Sequence, residues 1–269
     1  MNETLKRALS GAVYIILLLS CILYSQESLA ILFGIFMLIG VYEFCKILSL
    51  NLFVSLSIAS VSYYFLWNKS LDIILKTIIV SISVLTAIKL LFYLYNTKKT
   101  YFTLTTRYFL LIGYIIIPFI ITNYVAIGKD NKYNEKILIS ILILIWANDT
   151  FAYLVGKNFG KHKLFPSVSP KKTIEGFIGG VIFTIIFSVL LSKFYIQSNI
   201  LYIWIVIAII VSIFSTLGDL IQSKFKRVAG IKDSGKIMPG HGGILDRLDS
   251  IIFVIPFINL FYLILYYVS

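Results

Sequence analysis

Residues 223–249 read SKFKRVAGIKDSGKIMPGHGGILDRLD, and this window is the most polar part of an otherwise apolar chain. Six of its residues are Lys or Arg, three are Asp and five are Gly. A long apolar run precedes the window and another follows it. A charged, glycine-rich segment between two apolar helices adds little to packing, so we interpret it as the centre of function and the remaining chain as its scaffold.

Composition predicts that this scaffold lies in a membrane. Of the 269 residues, 59% are hydrophobic and 13% are charged, whereas soluble domains are about 25% charged. Apolar runs of about 20 residues, the length that a bilayer-spanning helix needs, recur along the chain. We therefore predict an all-α, polytopic helical bundle without a separate soluble domain. About nine spans are expected, at residues 8–25, 28–48, 52–67, 70–95, 107–127, 136–155, 173–194, 200–221 and 250–268.

The distribution of charge predicts the orientation of the bundle. The net charge is +12, and with a cytosolic N-terminus 17 of the 24 Lys and Arg residues fall on cytosolic segments, as the positive-inside rule requires. We expect a protein of the cell (inner or plasma) membrane. Residues 1–135 would be scaffold helices and residues 136–269 the catalytic region, with cytosolic loops 156–172 and 222–249. Because the positive charge lies between spans, we expect it to attract anionic lipid and phosphate groups. We expect no nucleic acid as a partner.

Four carboxylates are expected near one face of the membrane. Asp149 lies about six residues from the end of the sixth span, and Asp219 lies near the cytosolic end of the eighth. Asp246 and Asp249 stand at i and i+3, on one face of the helix that opens the ninth span. Since an intramembrane carboxylate needs a partner, these side chains predict an oxygen-only site that suits Mg²⁺. The alternatives are carboxylates that cap local backbone or pair with neighbouring Lys and Arg.

The basic residues of the window suit a polyphosphate, since ammonium and guanidinium groups bind phosphate oxygens. The stretch Pro239–Gly243 predicts a turn whose glycines let the backbone approach a ligand closely. His241, within that turn, could be a general base, a metal ligand or a structural hydrogen-bonding group, and the sequence leaves these open. The basic residues expected around the phosphates are Lys226, Arg227, Lys232, Lys236 and Arg247.

Residues 156–175 form a second basic segment. The stretch Ser169–Glu175 predicts the start of a helix, with Lys171 and Lys172 in its first turn, where the helix dipole disfavours cations. A phosphate bound at that helix N-terminus would offset the conflict. The alternative is a basic loop that only sets the topology. Glu43 and Lys46, at the end of the second span, are interpreted as an interfacial pair rather than as site residues.

The window carries a spaced pattern of polar residues, namely Ser223, Lys226-Arg227, Lys232-Asp233, His241-Gly242-Gly243 and Asp246-Arg247-Leu248-Asp249. This pattern resembles the signature of the phosphatidate cytidylyltransferase family, the CDP-diacylglycerol synthases. The segment from Ser169 to Gly176 resembles the family's Ser-Pro-Lys-Lys-Thr-x-Glu-Gly. Two departures are visible: Met238 stands where the family usually has Leu, Ile or Phe, and Lys157 replaces a more usual Arg. The resemblance is strongest over residues 146–250.

The resemblance implies a cytosol-facing enzyme that makes CDP-diacylglycerol and pyrophosphate from CTP and phosphatidic acid. It also implies Mg²⁺, in some members with a paired monovalent ion such as K⁺. In that reaction the expected metal ligands are Asp219, Asp246 and Asp249, with Asp149 as a fourth ligand or a group behind them. The expected catalytic residues are Lys226, Arg227, Lys232, His241 and Arg247. The expected substrate-binding residues are Lys171, Lys172, Ser223, Gly242 and Gly243.

Other functions stay open at this stage. A related lipid enzyme, either a polyprenol-type kinase or a cytidylyltransferase for another lipid phosphate, would use the same residue types. A transporter or channel with a basic anion pathway is an alternative from a different class. Transporters often show broken helices at mid-membrane or internal repeats, whereas the charges of this chain lie at one face and we find no convincing repeat. A homodimer is also left open.

Overall fold

The computed structural model describes residues 3–67, 71–96, 102–127, 132–198, 200–240 and 242–268. Over these residues the chain forms nine helices and one short hairpin. The helices are α1 Glu3–Tyr24, α2 Gln26–Leu48, α3 Leu52–Leu66, α4 Ile73–Tyr95, α5 Leu104–Val125, α6 Glu135–Phe159, α7 Ile174–Ile196, α8 Leu201–Val228 and α9 Leu245–Val268. The strands are β1 Lys163–Phe165 and β2 Ser169–Thr173.

Eight of the described helices are long and apolar enough to cross a membrane. The exception is α3, with 15 residues, which is about 22 Å long at 1.5 Å per residue and therefore shorter than the roughly 30 Å hydrocarbon core. Helix α5 is the most enclosed of these spans, and α1 lies at the periphery. The predicted all-α, multi-pass membrane bundle is confirmed.

Two cationic side chains donate hydrogen bonds to the C-terminal carbonyl groups of neighbouring helices. Nζ of Lys224, on α8, donates to the backbone carbonyls of Leu94 at 3.1 Å and Asn96 at 2.6 Å, at the end of α4. Nη1 of Arg107, on α5, donates to the carbonyl of Leu48 at 2.9 Å, at the end of α2. Because the last carbonyls of a helix have no partner within it, cations stabilise these ends. Lys224 and Arg107, which are both included in the positive-inside count, therefore also join helices.

The start of α7 differs from the prediction. The stretch Ser169–Thr173 is an extended strand that pairs antiparallel with Lys163–Phe165. The helix begins one residue later, where the Thr173 side chain accepts a hydrogen bond from Gly176 N at 3.1 Å as the N-cap. The expectation that Lys171 and Lys172 lie in the first helical turn was therefore wrong. Strand pairing and the residue-before-proline restriction at position 169 favour extended backbone there, and the hairpin is a small addition to an otherwise helical fold.

Close helix approach brings the site residues together. A Cβ atom on Gly180 would lie 2.7 Å from Oδ1 of Asn148, so α7 packs directly against α6 at that level. A Cβ atom on Gly218 would lie 2.7 Å from the carbonyl oxygen of Asp249, so α8 and α9 touch backbone to backbone. Helix α9 also packs on α4 and α5, and the expected division of the chain at residue 135 stays a prediction.

Candidate active site

The main cavity lies between α6, α7, α8 and the hairpin, with a volume of about 550 Å³. Apolar residues such as Phe177 and Leu164 form part of its wall. Its charged lining residues are Asp149, Lys157, Lys163, Lys171, Lys172 and Asp219. Four cations against two carboxylates give the cavity a net positive lining, which favours an anionic ligand. Lys171 and Lys172 were predicted from the sequence to bind such a ligand, whereas Lys157 and Lys163 were not.

A direct ion pair crosses this cavity. Nζ of Lys172 lies 2.6 Å from Oδ2 of Asp219, and the two side chains are 27% and 36% exposed. The other oxygen of Asp219 accepts a hydrogen bond from Ser223 Oγ at 3.3 Å, one helical turn further along α8. Lys171, the neighbouring strand residue, is exposed at the cavity wall. The structure thus brings together three predicted substrate-binding residues and one predicted metal ligand.

Three of the four predicted carboxylates form one electrostatic cluster. Asp149 and Asp249 each interact with Asp219 and with one another through their charges. A second cavity, of about 250 Å³, is lined by Asp149, Asp246, Arg247 and Asp249. Asp149 lines both cavities, so it lies where the basic cavity meets the start of α9.

Asp246 has protein partners at both of its oxygens. Oδ1 accepts from Nζ of Lys226 at 2.7 Å, in an ion pair whose side chains are 10% and 6% exposed. Oδ2 accepts from the backbone N–H of Ser234 at 2.8 Å and of Gly243 at 3.0 Å. The adjacent Gly242 has φ of +85°, and a Cβ atom there would lie 2.6 Å from the same oxygen. The ion-paired alternative therefore holds for Lys226 and Asp246, and the glycine lets the backbone close on the carboxylate.

The donor chemistry of the cluster fits a hard cation, because Asp149, Asp219 and Asp249 offer only oxygens. Lys172 and Lys226 form their ion pairs with Asp219 and Asp246, and their charges also act on Asp149 and Asp249. Among the described residues, however, no three His, Cys, Asp or Glu side chains converge as a ready-made metal site. The metal set thus stays a prediction.

The remaining predicted residues lie around the C-terminal end of α8. Arg227 is exposed, with Nη1 3.4 Å from the carbonyl oxygen of Ile231, and Lys232 is also exposed. Both residues lie outside the lining of the two cavities. Gly243 is buried beside Asp246. His241 falls outside the described residues, so its three possible roles stay open.

Glu43 contradicts its expected role. Its side chain is 1% exposed and accepts hydrogen bonds from Ser234 and the start of α9. Lys46 donates instead to the hydroxyl of Tyr42 at 2.6 Å. The interpretation of Glu43 and Lys46 as an interfacial pair was therefore wrong. The available signal was a carboxylate within an apolar span, which needs protein partners.

Several known proteins are similar to this chain in sequence. A protein of Staphylococcus saprophyticus named "Phosphatidate cytidylyltransferase" is 47% identical over 143 residues, which cover 51% of this chain and 55% of that relative. Proteins of the same name from Staphylococcus haemolyticus and Staphylococcus aureus are 48% and 47% identical over 144 residues, with the same coverage. The matched region spans about half the length of these relatives. The model of the Cytidylyltransferase family matches residues 5–265, which is nearly the entire chain, and this protein therefore belongs to that family.

Proposed function

We propose that this chain is a phosphatidate cytidylyltransferase, which joins CTP and phosphatidic acid to give CDP-diacylglycerol and pyrophosphate. The observation that carries the proposal is the basic cavity within a membrane bundle, where the Lys172–Asp219 ion pair adjoins a carboxylate cluster. One substrate is anchored in lipid and the other is soluble, so the reaction needs a charged site at a membrane face. The names of the similar staphylococcal proteins support the same reaction.

The reaction is a phosphoryl-type transfer without a covalent enzyme intermediate. An anionic oxygen of the phosphatidate attacks the α-phosphorus of CTP in line. The new bond joins that oxygen to the α-phosphorus, and the bond from the α-phosphorus to the bridging oxygen of the β-phosphate breaks. Pyrophosphate leaves with that electron pair. Since the attacking oxygen is already ionised at neutral pH, catalysis depends on positioning and on neutralising charge.

The cations of the main cavity are assigned to the lipid phosphate. Lys171 and Lys172 lie on the strand at its wall, and Lys157 and Lys163 extend the same lining. A phosphate that enters would compete with Asp219 for Lys172, because both are anions that accept from the same ammonium group. The headgroup therefore enters beside Asp219, with its acyl chains on the membrane side.

The residues of the window are assigned to the nucleotide. Arg227 and Lys232 are exposed and able to reach the triphosphate from the cytosol. Lys226 lies deeper and is held by Asp246. The remaining assignments follow the sequence pattern: Ser223 beside Asp219, the backbone of Gly242 and Gly243 near the phosphates, Arg247 orienting the carboxylates, and His241 at the leaving phosphate.

We assign the divalent cation, Mg²⁺, to Asp149, Asp219 and Asp249. Asp246 stays in the predicted set, although its oxygens already have protein partners, and its best-supported role is to hold Lys226. When bound, Mg²⁺ would neutralise charge on the phosphate oxygens. A second, monovalent ion such as K⁺ is part of the same proposal. So is a cytosol-facing site in the cell membrane, with a homodimer as an open alternative.

The test uses the purified full chain in phosphatidate-containing vesicles, with CTP labelled at either the α- or the γ-phosphate. We expect label to enter the lipid from α-labelled CTP only, and only when phosphatidate and Mg²⁺ are present. Lipid labelled from the γ-phosphate would show a kinase. Accumulation of an anion inside the vesicles without turnover would show a transporter, and either result would overturn the proposal.

A further inference from the structure

Glu43 is a buried carboxylate that the proposed reaction leaves unused. It lies on α2, yet all of its partners come from the far end of the chain. Oε2 accepts from Ser234 Oγ at 2.8 Å and from Leu245 N at 2.9 Å. Oε1 accepts from Ile244 N at 3.0 Å. One side chain thus receives three hydrogen bonds from residues about 200 positions away.

These bonds complete the N-terminus of α9. The first N–H groups of a helix have no partner within the helix, and they usually bond to a side chain just before it. Here a carboxylate from another helix takes that place for Ile244 and Leu245. Bonds to an ionised acceptor are stronger than neutral ones, and the helix dipole favours negative charge at this end. Burial of the Glu43 charge is tolerated only because these donors surround it.

Asp246 also bonds to the segment that precedes α9. It accepts from the backbone N–H groups of Ser234 and Gly243, while Glu43 accepts from the Ser234 hydroxyl. Ser234 and Gly243, together with Ile244 and Leu245, are called the loop base. The carboxylates of Glu43 and Asp246 therefore hold both ends of the turn between residues 234 and 243. Asp246 also holds Lys226, so the position of this catalytic lysine depends on the same network.

The glycines of the window match this arrangement. A Cβ atom on Gly235 or on Gly243 would collide with the Glu43 carboxylate. Gly243 is also too close to the Ser234 hydroxyl for a side chain. Gly243, whose predicted role was close approach of the backbone to a ligand, is thus also required by contact with α2, and so is Gly235.

We infer that Glu43 is a positioning residue, which fixes the loop base and the first turn of α9 so that Lys226, Asp246 and Asp249 keep their places in the site. The catalytic consequence rests on the proposed function, whereas the structural role of Glu43 does not. Glu43 lies outside the lining of the two cavities described above, so it acts through Asp246 and the helix start.

The main experiment compares Glu43→Gln with Glu27→Gln, a matched control at the exposed first turn of the same helix. We expect Glu43→Gln to lower kcat by about 100-fold, since misplacement of a catalytic group by ~1 Å costs that much. The KM for phosphatidate should change less than about threefold, because the lysines assigned to the lipid lie on β2 and not at the loop base. Hydrogen exchange at residues 243–245 should become at least about tenfold faster, as bonds to a charged acceptor are lost. Glu27→Gln should leave kcat, the KM for phosphatidate and the exchange rate unchanged.

A second variant keeps the inference testable if Glu43→Gln does not fold. Ser234→Ala removes one of the three donors and should show the same pattern with a smaller amplitude, about threefold to tenfold in both kcat and exchange. Unchanged exchange at residues 243–245 in either folded variant would overturn the inference. So would a normal kcat with an increased KM for phosphatidate. If the unmodified protein makes no CDP-lipid but exchange at residues 243–245 is still faster in the variants, the structural role of Glu43 is supported. Only the proposed function is then rejected.

Discussion

Nζ of Lys172 lies 2.6 Å from Oδ2 of Asp219, so the β-hairpin is held against α8 across the main cavity. The pair joins a predicted lipid-binding residue to a predicted metal ligand. Without a ligand, the two charges neutralise one another. When a lipid phosphate takes the lysine, Asp219 becomes free for a cation, so the two binding events are expected to be coupled through this pair.

Replacement of Lys172 tests that coupling. Lys172→Ala should raise the KM for phosphatidate by about 10-fold to 100-fold, which corresponds to one lost charge-assisted hydrogen bond of roughly 1.5–3 kcal/mol. The KM for CTP should change much less, and Lys171→Ala should follow the same order with a smaller effect. Steady-state kinetics in mixed micelles, with each substrate varied in turn, measure both constants.

A control for this series is Lys193→Ala, at the opposite end of α7. It removes one positive charge without touching the cavity, and its kinetics should match those of the unmodified protein. If Lys171→Ala and Lys172→Ala raised the KM for CTP more than that for phosphatidate, these lysines would belong to the nucleotide.

Asp246 and Asp249 should respond differently to added Mg²⁺. Asp249 belongs to the carboxylate cluster, so Asp249→Asn should raise the Mg²⁺ concentration needed for half-maximal activity. Asp246 holds Lys226 and the loop base, so Asp246→Asn should lower the maximal rate at every Mg²⁺ concentration. Titration of activity with Mg²⁺ in both variants makes the comparison. Near-normal turnover of Asp246→Asn at ordinary Mg²⁺ would reject both its predicted metal role and its structural one.

Most of the fold could be predicted because the length of an apolar run is a strong, local signal for a membrane span. The i, i+3 spacing likewise places Asp246 and Asp249 on the same helix. The spacing could not show that Asp246 already has protein partners, because these are Lys226 and the backbone of the loop base. Local sequence also failed at Lys171 and Lys172, where pairing with Lys163–Phe165 decided between strand and helix.

Glu43 shows the same limit more clearly. A Glu near the end of an apolar run with a Lys three residues later is typical of an interfacial pair. Its real partners lie 191 to 202 positions away along the chain. No periodicity or motif contains that information. What the sequence does offer is the cost of a carboxylate in an apolar span, which predicts that partners exist without naming them.

The cytosolic orientation of the site can be tested by thiol labelling. After replacement of Cys21 and Cys45, Lys163→Cys would place one thiol on the hairpin, and Gln197→Cys would place one at the other end of α7. With all nine helices counted as spans, the positive-inside rule predicts that a membrane-impermeant maleimide labels residue 197 in intact cells and residue 163 only after permeabilisation. The reverse pattern would place the site on the outer face and would contradict a reaction that uses cytosolic CTP.

The backbone contact between α8 and α9 should be essential for stability. A Cβ atom on Gly218 would lie 2.7 Å both from the carbonyl oxygen of Asp249 and from Cβ of Phe253. Neither atom is the end of a flexible side chain, so Gly218→Ala must push the helices apart, which should cost about 1–3 kcal/mol. Gly34→Ala is the matched control, because its nearest neighbour is the edge of the Tyr63 ring at 3.1 Å. Thermal unfolding in detergent should show a clear drop in Tm for Gly218→Ala and a smaller one for Gly34→Ala.

Because the displaced helices carry Asp219 and Asp249, Gly218→Ala should also raise the Mg²⁺ requirement of the protein that remains folded. A stable variant with unchanged Mg²⁺ dependence would show that the separation of these two carboxylates is not critical.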